Sequence, residues 1–147
     1  MPSTDRYGPQ ALAVLRIVAT FLFIAHGTSK LFGFPPFMMG DPPEVGTLFW
    51  FAGVIELFGG LLVLFGIYAR QAAVLMAGEM AVGYWMIHAA KGPFPSNNGG
   101  DAPILFCFVF LLIAAAGPGP WSIDASRMPR AEKDRRVAEH DRRAGDQ

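Results

Sequence analysis

The sequence predicts an all-α, polytopic membrane protein: a four-helix transmembrane bundle with both termini in the cytoplasm. Three observations carry that expectation. Of the 147 residues, 52% are apolar and only 16% are charged. The charges are unevenly placed, with seven of the twelve Lys and Arg residues in the last 21 positions (Arg127, Arg130, Lys133, Arg135, Arg136, Arg142 and Arg143). Upstream of them, four apolar blocks alternate with separators, most of them rich in Pro and Gly.

The first block covers about 11–32 and is interrupted by Arg16, His26 and Lys30. The second, LFWFAGVIELFGGLLVLFGI, covers 48–67 with Glu56 as its one charge. The third, AAVLMAGEMAVGYWMIHAA, covers 72–90 and contains Glu79 and His88. The fourth, APILFCFVFLLIAAAG, covers 102–117. A hydrocarbon core about 30 Å thick needs about 20 helical residues, so the first three blocks fit. The fourth is short and must stand upright, thin the bilayer or borrow flanking residues. A soluble helical bundle would repeat a polar face along each helix, and these runs show none.

The separators read as turns. FPPFMMGDPPEVG (34–46) cannot continue a helix. YAR (68–70) is short enough to make the second and third helices antiparallel neighbours. KGPFPSNNGGD (91–101) is a second irregular loop, after which Pro103 suits a first helical turn. GPGPW (117–121) ends the bundle, with Trp121 at interfacial depth. The chain thus divides into a membrane domain, 1–124, and a charged tail, 125–147, expected to be disordered. Arg6, Arg70 and the seven tail residues share one side, against Lys30, Lys91, Asp41, Glu44 and Asp101 on the other. Positive charge favours the cytoplasmic side, so the expected location is the inner (plasma) membrane with both termini inside. A cleaved signal peptide is not expected, because no basic region precedes the first block.

Several function classes drop out. A net charge of zero, with no dominant basic patch outside the tail, excludes nucleic acid as a partner. Cys107 is the single cysteine, so the chain cannot run its own dithiol–disulfide cycle. GxGxxG is absent, and neither HxxxH nor ExxH occurs, so neither a dinucleotide nor a metal is expected.

Polar residues inside the blocks are the candidate site. With about 1.5 Å of rise per residue, Arg16 lies about 9 Å and Glu79 about 12 Å from the cytoplasmic edge, and Glu56 about 14 Å below the outer edge. A lone charge at such depth costs about 3 kcal/mol or more, so Arg16 is expected to pair with a carboxylate. One Arg and two Glu leave a carboxylate over, a candidate for handling a proton. A second layer lies nearer the outside: His26 and His88, each about 25 Å from the cytoplasmic edge. Lys30 is one turn beyond His26 and Tyr84 one turn before His88, with Asn97, Asn98 and Asp101 in the loop above. His26, Lys30, His88, Tyr84 and Asp101 would then line an outward-opening pocket for an anionic or quinone-like head group.

Plainer roles stand beside these. Arg16 with Glu56 serves equally as an ion pair that fixes helix register. Lys30 has a stem long enough to snorkel to the interface. His88 suits a helix end, and His26 a loop cap. Gly53, Gly59, Gly60 and Gly66 suit close helix packing, which permits a homodimer without specifying one. Glu79 needs only a serine, amide or water.

LRIVATFLFIAHGTSKLFGF, VIELFGGLLVLFGIYAR, NNGGDAPILFCFVFLLIAA and GPGPWSID, in this order and spacing, resemble the DoxX family of small four-helix membrane proteins over about residues 11–124. The resemblance implies an oxidoreductase subunit, with ties to quinone and to thiol or sulfur redox chemistry. It highlights Arg16, His26, Gly27, Lys30, Glu56, Gly59, Gly60, His88, Gly117, Gly119 and Asp124, and puts Asp101 where the family's acidic residue stands. Glu79 is not among the family's positions. The expectation is therefore a quinone-binding redox subunit, with Glu56 relaying a proton, Arg16 tuning it, and no cofactor visible in the sequence beyond a bound quinone. The alternative is a non-catalytic membrane anchor whose charged tail recruits a soluble redox enzyme. A small-solute carrier fits less well, since four short helices offer one site and no second gate.

Overall fold

A computed structural model describes residues 7–127 and Ala138; Arg6 and all but the first three residues of the predicted tail lie outside the described residues, Ala138 apart. Regular structure among the described residues is entirely helical: α1 (Gly8–Phe32), α2 (Leu48–Phe65), α3 (Ala69–Lys91), α4 (Pro95–Asn98), α5 (Asp101–Ala116) and α6 (Ile123–Arg127). Three of them, α1, α2 and α3, are long and apolar enough to cross a membrane. α5, with 16 residues, is the short apolar helix that the fourth block implied. The predicted limits agree with these helices to within about one turn. α4 and α6 were not expected, and α6 takes in the first tail residues, 125–127.

Local chemistry sets the ends. Pro9 occupies the first turn of α1, and Gly33, in the left-handed region at φ 69°, closes it by donating its N–H to the Ser29 carbonyl. Thr47 caps α2 by accepting the Trp50 N–H on its hydroxyl. Gly66 ends that helix, with its own N–H and that of Ile67 bonded back to the carbonyls of Val63 and Leu62. Two helices contain a single π turn, Ile55–Gly59 in α2 and Tyr84–His88 in α3. Such turns bulge a helix locally and frequently mark functional positions; here they hold Glu56, Tyr84 and His88.

α1 packs on α2, and α3 packs most extensively on α5. The interior is built from small residues facing large ones: Ala72, Ala73, Met76 and Ala77 of α3 meet Phe110 and Ile113 of α5, joined by Phe23 and Val63. The Phe23 and Phe110 rings meet edge to face, 4.8 Å between centroids. The outer surface is apolar as well, with Phe21 69%, Phe58 58% and Phe108 67% exposed. Such a surface suits hydrocarbon rather than water, and small interfacial residues are how helices approach closely in lipid.

Candidate functional site

α1 and α2 cross where glycines remove the side chains between them. A Cβ added at Gly27 would lie 2.6 Å from the backbone nitrogen of Leu57, and one at Gly53 would lie 2.9 Å from Lys30 Cβ. Lys30 is near the end of α1, and the Cα–Cβ bond of a helical residue tilts towards the helix N-terminus. Its side chain therefore turns back into the protein, over Gly53, and Nζ reaches Glu56 Oε1 at 2.5 Å. The snorkelling expected for Lys30 does not occur. The pair is well enclosed, with the side chains 14% and 2% exposed.

Around this pair gather unsatisfied polar atoms. Glu56 Oε2 and both carboxyl oxygens of Glu79 are buried and have no hydrogen-bond partner among the described residues. Glu79 stands on α3, which packs against the π turn that holds Glu56. His26 stands one turn before Lys30 on α1. It is exposed on the apolar surface, with its ring 6.0 Å from that of Phe106. His26 Nδ1 lies 2.9 Å from the Leu22 carbonyl. A carbonyl only accepts, so the bond assigns the proton to Nδ1 and leaves Nε2 an acceptor in the neutral ring.

Arg16 is elsewhere. The expected Arg16–Glu56 pair is replaced by bonds from the guanidinium to backbone carbonyls: Val63 at 2.8 Å, Leu64, Trp121 at 2.9 Å and, more weakly, Pro120 at 3.5 Å. The physical reason is the end of α2, whose last carbonyls lack intrahelical donors and carry the negative pole of the helix dipole. Those carbonyls lie level with Arg16, whereas Glu56 is two turns further along. Arg16 is wholly buried and acts as a clasp between α2 and the chain after α5.

Two further charges work in the same way at this end. The Asp124 carboxylate accepts the N–H groups of Tyr68 at 3.2 Å and Ala69 at 3.0 Å, capping α3 from more than fifty residues away. Arg70 donates to the carbonyls of Ala114, Ala115 and Ala116 at the end of α5. The turn that allows this is glycine-dependent: Gly117 lies against the Arg70 guanidinium and Gly119 against the Pro9 carbonyl. Gly59 abuts Met76 and Gly60 abuts Ile24, both at helix contacts.

The remaining predicted residues form a separate group. His88 Nδ1 donates to the Asn98 carbonyl at 3.0 Å, and the Tyr84 ring stacks on His88 with centroids 6.5 Å apart. Tyr84 also closes on Gly100. The single pocket expected from His26, Lys30, His88, Tyr84 and Asp101 is thus divided. Lys30 turns to Glu56, while His88 and Tyr84 hold the α3–α5 loop. Asp101 is exposed at the first residue of α5, a position that suits a carboxylate at the helix dipole's positive end.

Sequence reasoning missed two supports. Arg70 was read only as a topological charge, yet three alanines followed by GPG leave carbonyls that need a cation. Asn98 donates from Nδ2 to the Gly92 carbonyl and accepts the Gly100 N–H on Oδ1, both at 2.8 Å; the NNGG run is the signal for such a side-chain-bonded turn. No group of three His, Cys, Asp or Glu side chains suited to a metal occurs among the described residues.

Comparison with known proteins bears on this arrangement. The family model described as DoxX matches residues 11–89. An uncharacterised protein of Haemophilus influenzae is 41% identical over 128 residues, covering 84% of this chain and 96% of its own. The inner membrane protein YqjF of Escherichia coli is 34% identical over 116 residues, 76% of this chain and 87% of its own. A Bacillus subtilis protein named "Putative oxidoreductase CatD" is 29% identical over 109 residues, 70% of this chain and 78% of its own. No solved structure matches the chain.

Proposed function

Since this chain belongs to the DoxX family of membrane proteins, we propose that it is a redox subunit of the inner membrane that binds a quinone or quinol head group at His26. In this reading α5 is a fourth, short span and both termini are cytoplasmic. The observation that supports it is His26 itself: an imidazole on the lipid-facing surface, held by Leu22 through Nδ1, with Nε2 free and the Phe106 ring beside it. A lipid-soluble head group with a hydroxyl or carbonyl oxygen fits a ring nitrogen at an apolar wall.

A bound quinol supplies two electrons and two protons. His26 Nε2 would accept the hydrogen bond of one hydroxyl and then its proton, while the second hydroxyl loses its proton to water at the protein surface. Glu56, buried behind His26, receives the charge through Oε2, while Lys30 holds Oε1 in place. Arg16 has no part in this step; its role is to hold the helix ends. The two electrons pass to an oxidised thiol or sulfur group, such as a disulfide, on a partner protein, because Cys107 has no second cysteine in the chain.

The test is a titration of the purified, detergent-solubilised protein with a short-chain ubiquinone. Saturable binding is expected, weakened about tenfold or more in His26→Ala, as befits loss of a hydrogen bond worth about 1.5 kcal/mol. Glu56→Gln should retain binding but slow turnover once a donor is supplied. No saturable binding in any of the three proteins overturns the reading. It would favour the anchor role, in which residues 125–147 recruit the enzyme.

A further inference from the structure

We propose that Glu56 and Glu79 form a carboxyl–carboxylate pair that holds one exchangeable proton inside the membrane, with Lys30 balancing the remaining charge. Three carboxyl oxygens are buried there without a donor: Glu56 Oε2, Glu79 Oε1 and Glu79 Oε2. The Glu56 side chain is 2% exposed, so bulk solvent does not reach it. One proton between the two carboxyl groups gives two of these three oxygens a partner, one carrying it and the other accepting it. It also removes the surplus charge, because Lys30 offsets one carboxylate and two are present.

The groups facing the pair come from each packed element. α1 contributes Lys30 and His26, α2 contributes Glu56, and α3 contributes Glu79. Tyr84 of α3 lies against His88 and Gly100 instead. From α5 the titratable groups are Asp101, exposed at its start, and Cys107, which packs against the apolar core. Among the described residues Lys30 is thus the one fixed cation at the pair, and His26 is exposed. A metal ion is a poorer occupant, since hard cations gather six or so oxygens and an ammonium already fills one side of this site.

Glu79 thereby acquires a role that the family's own positions do not assign. The proton it shares with Glu56 is held before a quinol binds, and a proton arriving from His26 at Glu56 Oε2 shifts it fully onto Glu79; its detection needs no quinol, so the inference stands apart from the preceding one.

Infrared spectroscopy of the full chain in detergent tests it, following the C=O stretch of protonated carboxyl groups through pH steps in H2O and D2O. The wild type should show one such band that shifts on 13C-glutamate labelling and is lost as pH rises. The band should vanish at neutral pH in Glu79→Gln and also in Glu56→Gln, because either variant leaves one carboxylate for Lys30. A band that survives in Glu56→Gln means that the proton belongs to Glu79 alone and overturns the sharing. Absence of a glutamate band in the wild type overturns the proposal without any variant, whatever the variants do to folding. A band that appears only when sodium is replaced by choline assigns the site to a metal cation instead and overturns it too.

Discussion

Lys30 and Glu56 meet at 2.5 Å between α1 and the π turn of α2, both turned away from the surface that either helix presents. The contact exists because Gly53 leaves space for the Lys30 stem. Two charges in this setting stabilise each other chiefly by preventing the cost of a lone one.

Removing one partner should therefore be worse than removing both. Lys30→Met leaves Glu56 buried without its counter-charge and is expected to cost about 3–5 kcal/mol. Lys30→Met combined with Glu56→Gln should recover most of that loss. Unfolding of the wild type and these two variants in detergent, followed by circular dichroism, provides the comparison; equal losses for the single and the double variant would contradict it.

Two glycine substitutions should move stability in opposite directions. Gly27→Ala drives a methyl against the backbone of α2, where no side chain can rotate aside, at a cost of about 1–3 kcal/mol. Gly78 has nothing within 4 Å of an added Cβ, so Gly78→Ala should gain up to about 1 kcal/mol from helix propensity. The same unfolding assay reads both.

Arg16→Lys keeps the charge but not the fork that reaches several carbonyls. About 2 kcal/mol or more should be lost as buried carbonyls go unpaired. The quinone dissociation constant of the folded fraction should stay unchanged, in contrast to His26→Ala. A matching rise in that constant would return Arg16 to the binding site.

Asp124→Ala should remove the cap from α3 and cost about 1 kcal/mol. Hydrogen exchange at the amides of Tyr68 and Ala69, the two donors to Asp124, should accelerate, while exchange at α1 stays as it was.

The helices were legible because hydropathy and the Pro- and Gly-rich separators act locally, each announcing its own element. The membrane-depth estimates were silent on rotation, and rotation decides which polar groups meet. Arg16 and Glu56 were paired on the premise that a buried charge needs an opposite charge. The last carbonyls of a helix meet the same need, and those of Val63 and Leu64 were the nearer. Lys30 was assigned to the interface from its stem length, although the backward tilt of its Cα–Cβ bond points the other way. His88 and Tyr84 shared a level with His26, yet bond to a loop whose course the sequence does not specify. Glu79, for which a serine, amide or water would have been partner enough, is the residue that geometry promoted furthest.

The Arg16 clasp also has a consequence for how the chain is made. Synthesis runs from the N-terminus, so Arg16 enters the membrane well before any of its acceptors exist. Val63 follows it by 47 residues and Trp121 by 105. During insertion the first hairpin therefore carries a guanidinium with only the α2 carbonyls to hold it, and the final grip arrives when the segment after α5 docks. A chain that stops short of Pro120 therefore keeps all three of its long helices but leaves the clasp open.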